Sequence, residues 1–249
     1  MKPNPPSILL VDDDIDICSN MLDILIDLGY HVESANDGAT ALEMIRQNSY
    51  DVAVLDYKMP GMNGVALLHQ IRKTRPEMVS LLVTAYAGSA ADDAMSAGVS
   101  EILSKPVEVT RLIKIVGEAV DRPLILIVDD DRELCSNLWD LMKDRGYRVG
   151  LAHDGEEAAR RLAESIYDVV LIDIKLPDCN GSGVFRKVCE VNPEARTLLI
   201  TGEVAETGCV VDQILAEGAD AVHYKPFDVP KLLETLERLI KARLGREAS

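Results

Sequence analysis

The chain has 249 residues, of which 47% are hydrophobic and 27% charged, and its formal net charge is -16. That length is enough for two domains of ordinary size, each with its own buried core. Residues 1–121 carry 9 basic and 18 acidic side chains and residues 122–249 carry 17 and 24, so the halves stand at -9 and -7, and neither is a basic surface for nucleic acid or an anionic membrane.

The first residues, MKPNPPS, lack the apolar segment of a leader, and no apolar run approaches the ~18 residues of a membrane span, which makes a cytoplasmic protein the expectation. Ser7 to Val11 (SILLV) is a short continuous apolar run that ends on Asp12-Asp13-Asp14, as suits a central parallel strand. Asp14 can cap the helix that follows, in which Ile17, Met21, Ile24, Leu25 and Leu28 share one face and which Gly29 stops. His31 to Ala35 reads as a strand, Asp37-Gly38 as a turn and Ala39 to Gln47 as a helix. Asp51 to Asp56 is a third strand. Gly64 to Arg75 is a helix with Val65, Leu68 and Ile71 inward, ended by Pro76. Val79 to Thr84 is a strand ending on a hydroxyl, and Ser89 to Ala97 is an alanine-rich helix stopped by Gly98. Glu101 to Ser104 is a strand leading into Lys105-Pro106, and Thr110 to Val120 is the last helix of the set.

The pattern then restarts. Asp121-Arg122-Pro123 is the whole linker, and Leu124 to Val128 precedes Asp129-Asp130-Asp131. Leu134, Leu138, Leu141 and Met142 form the inward face of a helix ending at Gly146, and Asp131 is its cap. The segments 148–152, 156–164, 168–173, 183–191, 197–201, 207–216, 221–224 and 230–244 repeat the earlier order. The repeat is plainest in YDVAVLDYKMPGMNG (residues 50–64) and YDVVLIDIKLPDCNG (residues 167–181), where Tyr, Asp, Lys, Pro, Asn and Gly all recur at an offset of 117. An offset of domain length means a duplicated domain, not a solenoid. Each copy is a (βα)5 unit, an α/β domain with a doubly wound parallel sheet covered on both faces, and the boundaries fall at 1–121 and 122–249. Right-handed crossovers place all the strand C-termini along one edge, where ligands of such sheets bind.

At that edge the first copy brings Asp12, Asp13, Asp56, Thr84 and Lys105, and the second brings Asp129, Asp130, Asp173, Thr201 and Lys225. Three converging carboxylates repel one another and need a cation, and an oxygen-only donor set suits Mg²⁺. A lysine and a hydroxyl aimed at the same place can hold an oxyanion beside the metal. An aspartate, already ionised at neutral pH, can attack phosphorus to give an acyl phosphate without a general base. The cysteines include no CxxC, and Cys18 and Cys135, which match at the repeat offset, read as small core residues. His31, His69, His153 and His223 fit no ligand or phosphotransfer pattern and read as surface or packing residues, and Trp139 reads as a packing residue.

The combination of an apolar strand plus DD, LD-x-K-M/L-P…NG, a strand ending in T, and KP resembles the receiver domain of the response regulators of two-component signalling, from about Ser7 to Leu244. The resemblance implies two tandem flavodoxin-like (CheY-like) domains. It makes Asp56 and Asp173 the phosphoacceptors and gives Mg²⁺ to Asp13 and Asp130 directly and to Asp12 and Asp129 mainly through water. It assigns the carbonyls of Lys58 and Lys175 to the same metal, and Thr84, Thr201, Lys105 and Lys225 to the phosphoryl group. It implies cis bonds before Pro106 and Pro226. It further implies a histidine kinase or phosphotransfer protein as donor, autodephosphorylation, a downstream protein target and no enzymatic output, and it leaves homodimerisation open. Ala85 and Gly202 leave room for the donor.

The chain departs from the family where many receivers carry Tyr or Phe three residues before the last lysine. Ile102 and Val222 stand there, with Tyr86 and Tyr224 as candidate substitutes. The hydroxyl-to-lysine spacing is 21 residues in the first copy and 24 in the second, which predicts different partners or switching for the two. The three-residue linker predicts domains that abut at their inactive ends. Two other readings compete. A Mg²⁺-dependent aspartyl phosphatase or mutase would carry a second acid where Lys58 and Lys175 stand. A structural pseudo-receiver pair would not need both five-residue sets.

Overall fold

The computed structural model describes residues 5–85, 93–95, 97–177, 181–202 and 204–247. It divides into two compact units, Met1–Arg122 and Pro123–Ser249.

Unit 1 runs β1 (Ser7–Val11), α1 (Ile15–Asp27), β2 (His31–Ala35), α2 (Gly38–Gln47), β3 (Val52–Asp56), α3 (Gly64–Thr74), β4 (Val79–Thr84), β5 (Glu101–Ser104) and α4 (Val109–Val120). Residues 93–95 and 97 are helical, and the rest of the helix expected over Ser89 to Ala97 lies outside the described residues. The strands are all parallel, in the order β2-β1-β3-β4-β5. Unit 2 runs β6 (Leu124–Val128), α5 (Arg132–Lys143), β7 (Arg148–Ala152), α6 (Gly155–Glu164), β8 (Val169–Asp173), α7 (Gly181–Val191), β9 (Arg196–Thr201), α8 (Val204–Ala216), β10 (Ala221–Tyr224) and α9 (Val229–Glu247). Its sheet is also all parallel, ordered β7-β6-β8-β9-β10.

Alternation along each strand divides the core. In unit 1 Leu9, Val11, Leu55 and Leu82 pack with Ala41 and Ile45 of α2 and Leu67 and Ile71 of α3. The intervening Ile8, Leu10, Val52 and Val54 pack with Cys18 and Leu25 of α1 and Leu112 and Val116 of α4. Every residue of β3, β4, β6 and β8 is buried, as central strands covered on both faces must be. Trp139 is buried in the corresponding layer of unit 2.

Local chemistry sets the element ends. Asp14 Oδ1 accepts from the amides of Asp16 and Ile17, and Asp131 Oδ1 accepts from those of Glu133 and Leu134. Asp51 Oδ2 accepts from the Ser7 amide (3.1 Å) and Asp168 Oδ2 from the Leu124 amide (2.8 Å), so the repeated aspartate of YDV ties down the start of the first strand in each unit. On α1 the structure departs from the expected inward face. Cys18 and Leu25 are buried and Met21 is partly buried, but Ile17, Ile24 and Leu28 are exposed. The sheet covers only part of an apolar surface that extends around the helix.

Candidate functional site

The order β2-β1-β3 means that the chain leaves β1 on one side and returns on the other. The C-terminal ends of β1 and β3 therefore flank the crevice where such sheets bind ligands. Asp12 and Asp13 follow β1, Asp56 ends β3, Thr84 ends β4 and Lys105 follows β5. Asp12, Asp56 and Thr84 are buried, while Asp13 is exposed at the rim.

These groups line an open cleft of about 760 Å³, whose wall also includes Lys58 and Ala85. Lys105 Nζ lies 2.7 Å from Asp12 Oδ2 and 2.7 Å from Asp56 Oδ1, bridging two carboxylates that would otherwise repel. The remaining oxygens are held by backbone. Asp12 Oδ1 accepts from the Asp14 amide at 3.0 Å, and Asp56 Oδ2 accepts from the Lys58 amide at 2.9 Å. Unit 2 repeats the pattern. Lys225 Nζ lies 2.6 Å from Asp129 Oδ2 and 2.8 Å from Asp173 Oδ2, and the amides of Asp131 and Lys175 donate to Asp129 and Asp173.

Each unit also brings three carboxylates together. Asp12, Asp13 and Asp56 each offer an oxygen within 4.8 Å of the other two, as do Asp129, Asp130 and Asp173. This all-oxygen set, open on one side, has the donor chemistry for Mg²⁺. Lys58 and Lys175 present their amides to the third-strand aspartates.

Burial pushes the Asp56 carboxyl above its ordinary value. Lys105 pulls it back, and the Asp12 charge adds to the rise. Burial also raises Asp129, against the pull of Lys225. Burial works against both ammonium groups, but their carboxylate partners outweigh it, so Lys105 and Lys225 lie above the ordinary lysine value. Both lysines are therefore charged at neutral pH. The Lys105-Pro106 and Lys225-Pro226 bonds are both cis.

Four supporting residues do not stand out by chemistry in the sequence. A Cβ on Gly64 would come 2.4 Å from the Asp56 carbonyl oxygen, and one on Gly181 2.5 Å from that of Asp173. The glycine of the repeated NG therefore lets α3 and α7 start against the backbone of the third-strand aspartate, and its recurrence at the repeat offset was the available signal. Cys18 and Cys135 donate their thiols to the carbonyls of Asp12 and Asp129 at 3.6 and 3.3 Å, and burial pushes those thiols up to about 11 and about 12. These are inert packing groups under the acidic pair, not nucleophiles.

The positions that replace the family's aromatic, Ile102 and Val222, are partly buried and pack against the α2–α3 side of their own cores. Tyr224 is exposed, and Tyr86 lies outside the described residues. Among the described residues, no helix is long and apolar enough to cross a membrane.

A family model described as the response regulator receiver domain matches residues 8–117 and again residues 125–237. A response regulator receiver protein of Anaeromyxobacter sp. (strain Fw109-5) is 30% identical over 239 residues, covering 94% of this chain and 95% of its own. The transcriptional regulatory protein ZraR of Klebsiella oxytoca is 36% identical over 130 residues, 52% of this chain but 28% of ZraR. Among solved structures, a CheY-like response regulator receiver domain protein from Methanospirillum hungatei JF-1 is 34% identical with a TM-score of 0.46, covering 47% of this chain and 95% of that one.

Proposed function

Because the chain belongs to the response regulator receiver family, with two receiver domains in tandem, we propose that it takes phosphoryl groups from a histidine kinase or phosphotransfer protein onto Asp56 and Asp173. Its output is then a phosphorylation-dependent contact with a downstream protein. The observation that carries this reading is the ammonium group that bridges β1 and β3 carboxylates in each unit, beside a buried threonine at the end of the next strand.

One Asp56 oxygen attacks phosphorus, the bond from phosphorus to the donor imidazole nitrogen breaks, and the imidazole leaves with the electron pair. The product is an acyl phosphate. Lys105 then exchanges one carboxylate partner for a phosphoryl oxygen, and the Thr84 hydroxyl donates to another. Lys225 and Thr201 do the same in unit 2. Asp12, Asp13 and Asp56, and likewise Asp129, Asp130 and Asp173, would hold Mg²⁺, with the carbonyls of Lys58 and Lys175. Bound Mg²⁺ supplies positive charge against the phosphoryl oxygens. Lysines at 58 and 175 leave no second acid for ester hydrolysis, which favours the receiver over a phosphatase.

Intact-protein mass after incubation with Mg²⁺ and acetyl phosphate tests the reading. Two added phosphoryl groups on the wild type and one on each of Asp56→Ala and Asp173→Ala are expected. Labelling that survives in the double variant would refute the assignment.

A further inference from the structure

The two acidic clefts share their carboxylates and their lysine, but not what holds the first carboxylate from behind. His153, in the turn after β7, sets its ring Nδ1 3.1 Å from the Asp129 carbonyl oxygen. A carbonyl only accepts, so Nδ1 carries a proton and donates it. The backbone amide of His153 in turn donates to Glu157 Oε2 at 3.0 Å, and Arg161, four residues further along α6, sets its guanidinium 3.6 Å from Glu157 Oε1. Arg161 is buried and Glu157 half-buried. A continuous polar chain therefore runs from α6 to the main chain of a residue of the acid cluster.

Unit 1 changes every link of this chain. At the repeat offset Asn36, Thr40 and Met44 stand in place of His153, Glu157 and Arg161. Asn36 and Thr40 are exposed, and the Thr40 hydroxyl donates to Asp37 Oδ2 at 2.9 Å. The helix cap itself is common to both units: Asp37 Oδ1 accepts from the Thr40 amide, and Asp154 Oδ1 from the Glu157 amide. Capping thus accounts for Asp154. In a capping box Glu157 would return to the Asp154 amide, but it reaches one residue further, to the residue that carries the ring.

The acid pair registers the difference. The Asp129 amide donates to the Ala152 carbonyl at 3.0 Å, where the Asp12 amide lies 3.3 Å from that of Ala35. The Cys135 thiol lies 3.3 Å from the Asp129 carbonyl, where that of Cys18 lies 3.6 Å from the Asp12 carbonyl. Asp129 is 1% exposed and Asp12 8%. Mg²⁺ demands a near-ideal donor geometry, and donors that are already fixed lose less freedom on closing around an ion.

We infer that His153, held by Glu157 and Arg161, is a positioning residue for the cation site of unit 2: it fixes the backbone of Asp129, so that unit 2 fills with Mg²⁺ at a lower concentration than unit 1. Resting on the Mg²⁺ reading above, this makes the turn after β7 a determinant of which receiver is charged with metal when Mg²⁺ is scarce.

The test uses the full chain at pH 8. Trp139, the single tryptophan, lies in unit 2, so Mg²⁺ binding there is read as the rise of its urea midpoint with Mg²⁺ concentration. Each variant is compared with its own metal-free midpoint, which removes any effect on stability alone. His153→Leu and Glu157→Thr should raise the Mg²⁺ concentration needed for a given rise by about tenfold, the low end for groups that hold a metal ligand, because the hold acts through the backbone. Glu157→Gln keeps an acceptor for the His153 amide and should stay close to wild type. The converse graft, Asn36→His with Thr40→Glu at exposed positions of unit 1, should lower the Mg²⁺ concentration for half-maximal acetyl phosphate labelling of Asp56. A Mg²⁺ response in His153→Leu equal to wild type, a loss in Glu157→Gln as deep as in Glu157→Thr, or a graft without effect would overturn the inference and leave the Mg²⁺ reading standing. A wild-type midpoint indifferent to Mg²⁺ would overturn both.

Discussion

Two glycines two residues apart on α7 make opposite predictions for one substitution. On helix propensity alone, alanine should stabilise either position by up to about 1 kcal/mol, because glycine loses more backbone freedom on folding. At Gly183 nothing lies within 4 Å of the added Cβ, so Gly183→Ala should follow propensity. At Gly181 the Cβ would stand 2.5 Å from the Asp173 carbonyl oxygen and 2.9 Å from the Ile174 Cα. Both are backbone atoms next to a fully buried strand, so no side-chain rotation relieves the contact. Forcing a methyl into such a space costs about 1–3 kcal/mol, which exceeds the propensity gain. Gly181→Ala should therefore lower the stability of unit 2 while Gly183→Ala raises it slightly, a separation of about 1–3 kcal/mol, the steric cost alone, since the propensity gain is common to both. Trp139, the single tryptophan, is buried in unit 2, so its fluorescence during urea unfolding reports that unit alone. Phosphoryl uptake at Asp173 should fall in the same variant, because the displaced carbonyl belongs to that residue. If both alanine variants shift the midpoint in the same direction, the steric argument is wrong.

Lys225→Met leaves Asp129 and Asp173 facing each other without their shared cation. Removing one partner of a buried pair costs about 3–5 kcal/mol, and the partly exposed amine argues for the low end. Tryptophan-detected melts in chelator should show the loss, and millimolar Mg²⁺ should restore part of it; a melt indifferent to Mg²⁺ would count against a cation site among these acids. His223 donates to or accepts from Thr235 Oγ1 at 2.9 Å, and burial holds its pKa below the ordinary 6.5, against a smaller opposing pull from Asp228. The folded state then binds fewer protons than the unfolded state, so this contribution is full above pH 6.5 and is lost as pH falls through the folded value. His223→Leu, which installs the residue that unit 1 carries as Leu103, should reduce the loss of unit 2 stability between about pH 7.5 and about pH 5.5, and an unchanged slope would refute the assignment.

The strand ends were legible in the sequence for a physical reason. A central parallel strand is apolar on both faces, so a charged or hydroxyl residue can enter the pattern only where the strand stops. Asp12, Asp56, Thr84 and Lys105 mark those stops in one copy, and their counterparts mark them in the other. The bridge was not legible. Lysine was read as a phosphoryl partner, and the structure shows how that amine is held meanwhile, between two carboxylates whose mutual repulsion it offsets.

What periodicity cannot supply is cover. The spacing of Ile17, Met21, Ile24 and Leu28 states that these residues share a side of α1, and they do. Whether a side of a helix is interior depends on what another segment brings over it, and here that segment is the one after a Lys-Pro bond some 80 residues later in the chain. In unit 2 that segment brings Phe227, which packs against the same buried cluster as Leu134 and Leu141, and both leucines are partly buried. In unit 1 it brings a valine, and the stripe stays exposed beside Asp56. Ile17 and Ile24 thus differ in exposure from Leu134 and Leu141, their counterparts at the repeat offset. That difference is invisible to any local reading of α1 and falls beside Asp56.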